Sequence, residues 1–166
     1  MKIINKFRKL SKESNLIITT GGVSVGDADY IRDALLKIGS INFWKISIKP
    51  GRPLAFGTIG SSYFFGLPGN PVSTSVTFDL FVRPAINKIL SLEKRKDITI
   101  KATLVGALRK KRGRVEYKRG ILFKKEGKYY VKASGLQGSN ILSSLAIANC
   151  YIKLGMDLSL IHISEP

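Results

Sequence analysis

The sequence predicts an α/β unit, in which a sheet lies between layers of helix, followed by a small all-β, barrel-like unit. Three observations carry this. SNLIITTGG, residues 14–22, reads as a buried strand running into glycines, and an amphipathic stretch follows it. GSSYFFG, residues 60–66, passes through GLPGNP into VSTSVTFDLFV, a second strand, turn and helix. Beyond Leu92 the character changes to short β-rich runs split by Gly and Lys.

In chain order, Ile3, Ile4, Phe7 and Leu10 fall at helical spacing among lysines, so residues 3–10 predict a helix packed by one face. After the strand, Ile31, Ala34, Leu35 and Ile38 stand at i, i+3, i+4 and i+7, and Gly39 supplies the helix stop. INFWKISIK, residues 41–49, is the next strand, and PGRPLAFG reads as a loop leading to a short buried strand at Tyr63, Phe64 and Phe65. Pro68 stiffens the turn, Gly69 frees it, Asn70 suits a helix N-cap and Pro71 the first helical position. The helix then runs to about residue 90, and Pro84 should kink or divide it. EKRK, residues 93–96, separates the units, giving 1–92 and 97–155, with 156–166 as a tail that ends the pattern. ITIKATLVGAL, GRVEYKRGILFKK, GKYYVKAS and NILSSLAIANCYIK supply the β unit.

A chain of 166 residues that is 44% hydrophobic can bury a core. Its 28 Lys and Arg against 11 Asp and Glu leave +17, which draws phosphorylated ligands and other polyanions. One cysteine, Cys150, makes no internal disulfide, and with the single His162 it makes no zinc site, so a reducing, cytoplasmic setting is expected. No apolar run is long enough to cross a membrane, and the first residues lack the pattern of a signal peptide.

The candidate chemistry begins at GGVSVGDAD. Gly21, Gly22 and Gly26 allow the backbone to approach a phosphate, and with Ser24 they form a candidate cofactor-binding loop. Asp27 and Asp29 beside it would repel a phosphate unless a cation intervenes; Mg²⁺, which takes one or two carboxylates plus phosphate oxygens, resolves that conflict. The alternative is that the aspartates only cap the helix. If 43–49 is one strand, Lys45, Ser47 and Lys49 share a face, the lysines roughly 13 Å apart, with Arg52 beyond them. Such a pair suits an anionic ligand; otherwise the strand is an edge whose lysines discourage aggregation. The cations of RKKRGRVEYKRG read as solvated charge, and GLQGSN as a polar turn able to offer Ser139 to an anion.

Taken together and in order, TTGGVSVGDADY, FWKISIKPGRPLAFG, GLPGNPVS, GRVEYKRG and GLQGSN closely resemble the C-terminal part of the molybdopterin molybdenumtransferase family, the molybdenum insertases related to the gephyrin C-terminal domain. The resemblance covers residues 15–153. It implies a partial, three-layer α/β molybdopterin-binding domain and a small β-barrel-like domain. It further implies insertion of molybdate into adenylated molybdopterin with release of AMP, with magnesium required, in a homodimer. Asp29, Lys45, Lys49, Pro68 and Pro71 match the family's catalytic positions; Arg119 and Ser139 match site residues of its β domain. Asp29 is then the residue for magnesium or ligand positioning, and the lysines meet phosphate and molybdate charge. The family's upstream segments have no counterpart here, so the chain is expected to be an inactive fragment by itself.

Two other classes compete. A gephyrin-like scaffold would use the same domains to hold a peptide, but it has no need of Asp29, Lys45 and Lys49 together. Polyanion binding through the basic surface would be weak, salt-sensitive and without sequence preference, because no recognition helix or stacking motif is evident. Specific nucleic-acid binding is therefore not expected. A related adenylyltransferase would leave the β unit unexplained.

Overall fold

A computed structural model of the chain describes residues 2–22, 28–92, 98–158 and 160–162, with the backbone alone at 28, 29 and 160–162. The chain divides into two compact units, one formed by 1–46 and 51–86 and the other by 47–50 and 87–166.

The first unit opens with α1 (Lys2–Glu13), longer at both ends than its apolar spacing predicts. Phe7 is buried, and Ile3, Ile4 and Leu10 pack on the same cluster. β1 (Leu16–Thr20) leads by way of 21–27 to α2 (Ala28–Ile38), whose Ile31, Ala34 and Leu35 are buried as their period predicts. Gly39 does follow the helix, but not as a left-handed cap: it opens β2 (Gly39–Lys45) directly. Its glycine character has another cause, since a Cβ there would lie 2.0 Å from the carbonyl oxygen of Thr58.

PGRPLAFG is not a loop. Pro53–Ile59 form β4, which lies between β2 and β5 (Ser62–Leu67) in a sheet of order β1-β5-β4-β2. Leu54 and Ala55 are fully buried on opposite faces, and this burial outweighs the loop signal of Pro and Gly. Pro53 is tolerated because it is the strand's first residue. β1 and β5 run parallel, whereas β4 is antiparallel to both β5 and β2. One sheet face packs under α1 and α2 through Ile17, Ala55, Ile59 and Phe64. The other, through Leu54, Phe65 and Leu67, meets Val82, Phe78 and Phe81 of the second helical layer. Alternate residues of β4 and β5 thus serve opposite layers, giving the three-layer α/β arrangement. Tyr63, read as buried, is 47% exposed and stacks on Phe56.

The second helical layer is α3 (Pro71–Thr77), a π-helical turn at Phe78–Val82, and α4 (Arg83–Ile89). Pro84 therefore divides the helix as its chemistry requires. It cannot donate to the preceding turn, and the wider π turn lies immediately before it.

In the second unit, β8 (Val115–Lys125) is central, flanked by β9 (Lys128–Ala133) and β10 (Cys150–Leu154), both antiparallel to it. β6 (Thr103–Leu104) runs parallel to β9, and β3 (Ile48–Lys49) parallel to β8. β7 (Ala107–Arg109) pairs with β11 (Leu160–His162). Leu104, Leu108, Val131 and Leu154 are the core. The unit is strand-rich rather than wholly β, because Ser143–Ala146 within NILSSLAIANCYIK form a short helix, α5.

Met156 and Leu158, at the start of the 156–166 stretch, are tied to the second unit. The Lys110 ammonium, which is buried, donates to the carbonyls of Lys111, Met156 and Leu158, and Gly113 N–H donates to Met156 O. These anchors use backbone carbonyls, so side-chain patterning does not announce them. No helix among the described residues is long and apolar enough to cross a membrane.

Candidate functional site

Because β1 and β5 are parallel neighbours in register Thr20↔Leu67, their following residues leave the sheet side by side. Gly21 and Gly22 have φ of +78° and +69°, conformations that side chains rarely adopt. Gly21 N–H donates to Leu67 O at 3.0 Å. A Cβ on Gly69 would stand 3.4 Å from the Gly21 Cα, so the two loops meet backbone to backbone.

Asn70 performs the predicted cap: its side-chain oxygen accepts from Ser73 N–H at 3.4 Å, and Pro71 opens the helix. Thr74 N–H donates to Asn70 O, and the Thr74 hydroxyl donates to the carbonyls of Pro68 and Asn70. Two amides of the helix mouth are thus used within the turn, and the result is a rigid rim with Pro68 buried and Gly69 exposed.

The strand directions place the carboxyl ends of β1, β5 and β2 and the start of β4 at one end of the sheet. That end carries Gly21, Gly22, Pro68, Gly69, Asn70 and Pro71, together with exposed Lys45 at the end of β2 and exposed Arg52 before β4. Asp29 is in the first turn of α2, two residues before Ile31, whose side chain closes on Gly22. Ser24, Gly26 and Asp27 lie outside the described residues.

Among the described residues no three His, Cys, Asp or Glu gather as a metal cage. Asp27 and Asp29 follow the glycine turn in the sequence, and a Cβ on Gly22 there would lie 2.4 Å from Ile31 Cδ1.

The expected lysine face of one continuous strand is not formed. β2 ends at Lys45, and Ile46 N–H turns to Arg52 O at 3.1 Å. Ile48 and Lys49 join the second unit, in register Ile48↔Val115 and Lys49↔Glu116. Lys45 is consequently on an outer strand of its sheet, as the edge alternative foresaw, and Lys49 belongs to another sheet.

Within the second unit, Glu116 is buried between two lysines: Lys118 Nζ is 2.9 Å from Oε2, and Lys49 Nζ 3.5 Å from Oε1. Burial pushes the Glu116 carboxyl up, but Lys118 and then Lys49 pull harder, and its pKa ends below the ordinary value. A depressed folded-state pKa means that the ionised group stabilises the fold at pH above the unfolded carboxyl's titration, and the contribution disappears as pH falls through the folded value. Acid unfolding followed by circular dichroism should therefore show a stability loss below about pH 4.5 that is reduced in Glu116→Gln.

Three cations of RKKRGRVEYKRG, namely Lys110, Lys118 and Arg119, are buried, contrary to the solvated reading. Arg119 is 1% exposed. Its guanidinium donates to Ser144 Oγ and to the carbonyls of Leu136, Gln137 and Gly138. The Gln137 amide answers by accepting from Arg119 N–H and donating to Arg119 O and Gly135 O. Ser139 is exposed on the turn that this network fixes. Glu116 went unread in the sequence, although its two-residue spacing from Lys118 on a strand puts both on one face.

Residues 1–88 match the family described as probable molybdopterin binding domain, and 101–159 match the MoeA C-terminal region (domain IV). The chain is 40% identical over 161 residues to a molybdopterin molybdenumtransferase of Haemophilus influenzae, covering 96% of this chain and 40% of that protein. It is 45% identical over 95 residues to gephyrin of Dictyostelium discoideum, covering 48% and 13%. A solved molybdenum cofactor biosynthesis protein from Pyrococcus furiosus superposes with a TM-score of 0.70 at 26% identity, covering 98% of this chain and 51% of that one. A molybdopterin biosynthesis moeA protein from Pyrococcus horikoshii gives 0.69 at 27%, covering 98% and 36%. The chain spans less than half the length of these curated relatives. With a molybdopterin-binding domain over residues 1–88 and a MoeA C-terminal region after it, the chain belongs to the molybdopterin molybdenumtransferase family and corresponds to the C-terminal part of its members.

Proposed function

We propose that the chain serves molybdenum cofactor biosynthesis by contributing to the insertion of molybdate into adenylated molybdopterin, with release of AMP. The observation that carries this reading is the backbone contact of Gly21 with Gly69 at the carboxyl ends of parallel β1 and β5. In open α/β sheets that is where anionic ligands are held.

On this reading, Gly21, Gly22 and Gly69 admit the phosphate-bearing part of the ligand to the backbone, with Ser24 and Gly26 extending the loop. Pro68, Asn70 and Pro71 keep the rim from yielding. Lys45 and Arg52 bring positive charge from the same sheet end. Asp27 and Asp29 hold magnesium, which when bound offsets phosphate charge. In the second unit, Lys49 and Ser139 offer anion contacts of their own, and Arg119 acts through the turn that carries Ser139. The chemistry is mainly orientation and fixed charge, which stabilise a developing oxyanion without reorganisation. The active form is a cytoplasmic homodimer.

Titration calorimetry with adenylated molybdopterin tests the reading. Gly69→Val, whose Cβ would stand 3.4 Å from the Gly21 Cα and whose two methyls would narrow the mouth between the loops, should weaken binding at least about tenfold, the cost of a misplaced contact, while the circular dichroism spectrum is kept. Asp29→Asn should remove the gain from magnesium. Equal affinity of Gly69→Val and the parent chain would refute the site.

A further inference from the structure

Lys49 stands at the end of a two-residue strand, with its side chain 50% exposed, yet its ammonium faces a carboxylate that is 3% exposed. A lone buried carboxylate would hold a lysine as a closed ion pair. Here the carboxylate is shared, and unequally: Lys118, itself nearly buried, is 0.6 Å nearer to Glu116 than Lys49 is. The cross-strand partners on that face are Leu154 opposite Glu116 and Ile152 opposite Lys118, so β10 adds no charge there. β3 contributes Lys49, and β8 contributes Glu116 and Lys118.

From this geometry we infer that Glu116 is a positioning residue for Lys49, with Lys118 as the standing counter-ion that leaves the Lys49 ammonium held in place but available to an anion. The inference rests on the reading that Lys49 meets an anionic group of the substrate. Its physical content is a division of labour. Lys118 keeps Glu116 charge-paired at 2.9 Å whether or not Lys49 is engaged, although the facing oxygen makes no hydrogen bond, so Lys49 can pass from the carboxylate to an incoming oxyanion without leaving a buried charge without a counter-ion. The contact to Oε1 meanwhile restricts the long lysine chain before the anion arrives, which lowers the entropy lost on binding. The three groups together carry one net positive charge, so an anion is still attracted.

Two alterations should move Lys49 in opposite directions. In Glu116→Gln the tether is lost, and Lys49 becomes more mobile. In Lys118→Met the carboxylate has no other partner, and Lys49 is drawn in and becomes less mobile. A role limited to stability would not produce opposite signs. The measurement is the side-chain order parameter of Lys49 by NMR on the whole 13C-lysine-labelled chain, with the Lys49 signal identified through Lys49→Arg. Glu116→Asp, which keeps the charge on a shorter arm, should restore at least part of the order. If Glu116→Gln does not fold, the Lys118→Met and Glu116→Asp pair decides.

Inorganic molybdate is the probe for the second arm. Charge alone predicts that Glu116→Gln binds the anion more tightly, since a negative group has been removed. Positioning predicts the reverse, a loss of about tenfold for a charge-assisted contact that must now be ordered on binding. Unchanged Lys49 order in both Glu116→Gln and Lys118→Met, or tighter molybdate binding in Glu116→Gln, overturns the inference. If molybdate leaves the Lys49 signal unmoved even in the parent chain, the assignment of Lys49 to the ligand fails, while the order parameters still decide the role of Glu116.

Discussion

Arg119→Ala should unfold the 135–144 region and cost the second unit about 3 kcal/mol or more, because a buried donor set is removed from under several acceptors at once. The guanidinium serves three consecutive carbonyls, those of Leu136, Gln137 and Gly138, and the hydroxyl of Ser144. No single replacement donor can reach all four. The Gln137 amide, which bonds the backbone N–H and C=O of residue 119, keeps those partners in the variant, so the loss falls on the acceptors of the guanidinium alone. Urea denaturation should show the lost stability, and hydrogen exchange should place it in the turn that carries Ser139. Arg119→Lys, which keeps a charge but not the planar fork, should recover only part. A parent-like unfolding midpoint with unchanged exchange at 135–144 would contradict the account.

The second large effect is expected at Gly57. A Cβ there would lie 2.0 Å from the carbonyl oxygen of Ser40, and the same holds for Gly39 against Thr58. Both obstacles are backbone, and they lie across the β2–β4 seam, so no rotamer change relieves them. Gly57→Ala should therefore push β2 off β4 and cost on the order of 3 kcal/mol, the upper end for overpacking. Gly155→Ala is the control: nothing stands within 4 Å of its added methyl and its φ is not in the left-handed region. If both variants melt together within a degree, the close approach of β2 and β4 is not real.

The helices and the ligand-end turn were legible in the sequence because their signals are local. Phe7, Ile31, Ala34 and Leu35 are spaced by the helix that buries them, and Asn70 and Pro71 are chosen by the backbone at their own positions. β4 was misread for the opposite reason. Its Pro53 and Gly57 look like loop residues, and only the two neighbouring strands explain them: Pro53 sits where the ladder begins, and Gly57 lies where Ser40 comes too close for a side chain. The break after Lys45 was equally hidden, since apolar and polar residues alternate without interruption from Trp44 to Lys49. What ends the strand is the capture of Ile48 and Lys49 by Val115 and Glu116, more than sixty residues away. Arg119 and Lys110 were taken for solvated charge because their partners are carbonyl oxygens, which every residue has and no sequence pattern displays.

The loan of Ser47–Pro50 to the second unit has a consequence for how this polypeptide can be inherited or dissected. Two bodies joined by one linker can be shuffled by a single recombination event, each arriving whole. Here no single break in the chain yields both bodies whole: a polypeptide beginning at residue 87 would lack β3, and with it the parallel partner of Val115 and the lysine facing Glu116. A nick after Leu92 would leave β3 on the first fragment, still paired through β8 with the second. Gene fusion or exon exchange at that point would carry away a sheet missing one edge, so the two units must travel through evolution as one cassette.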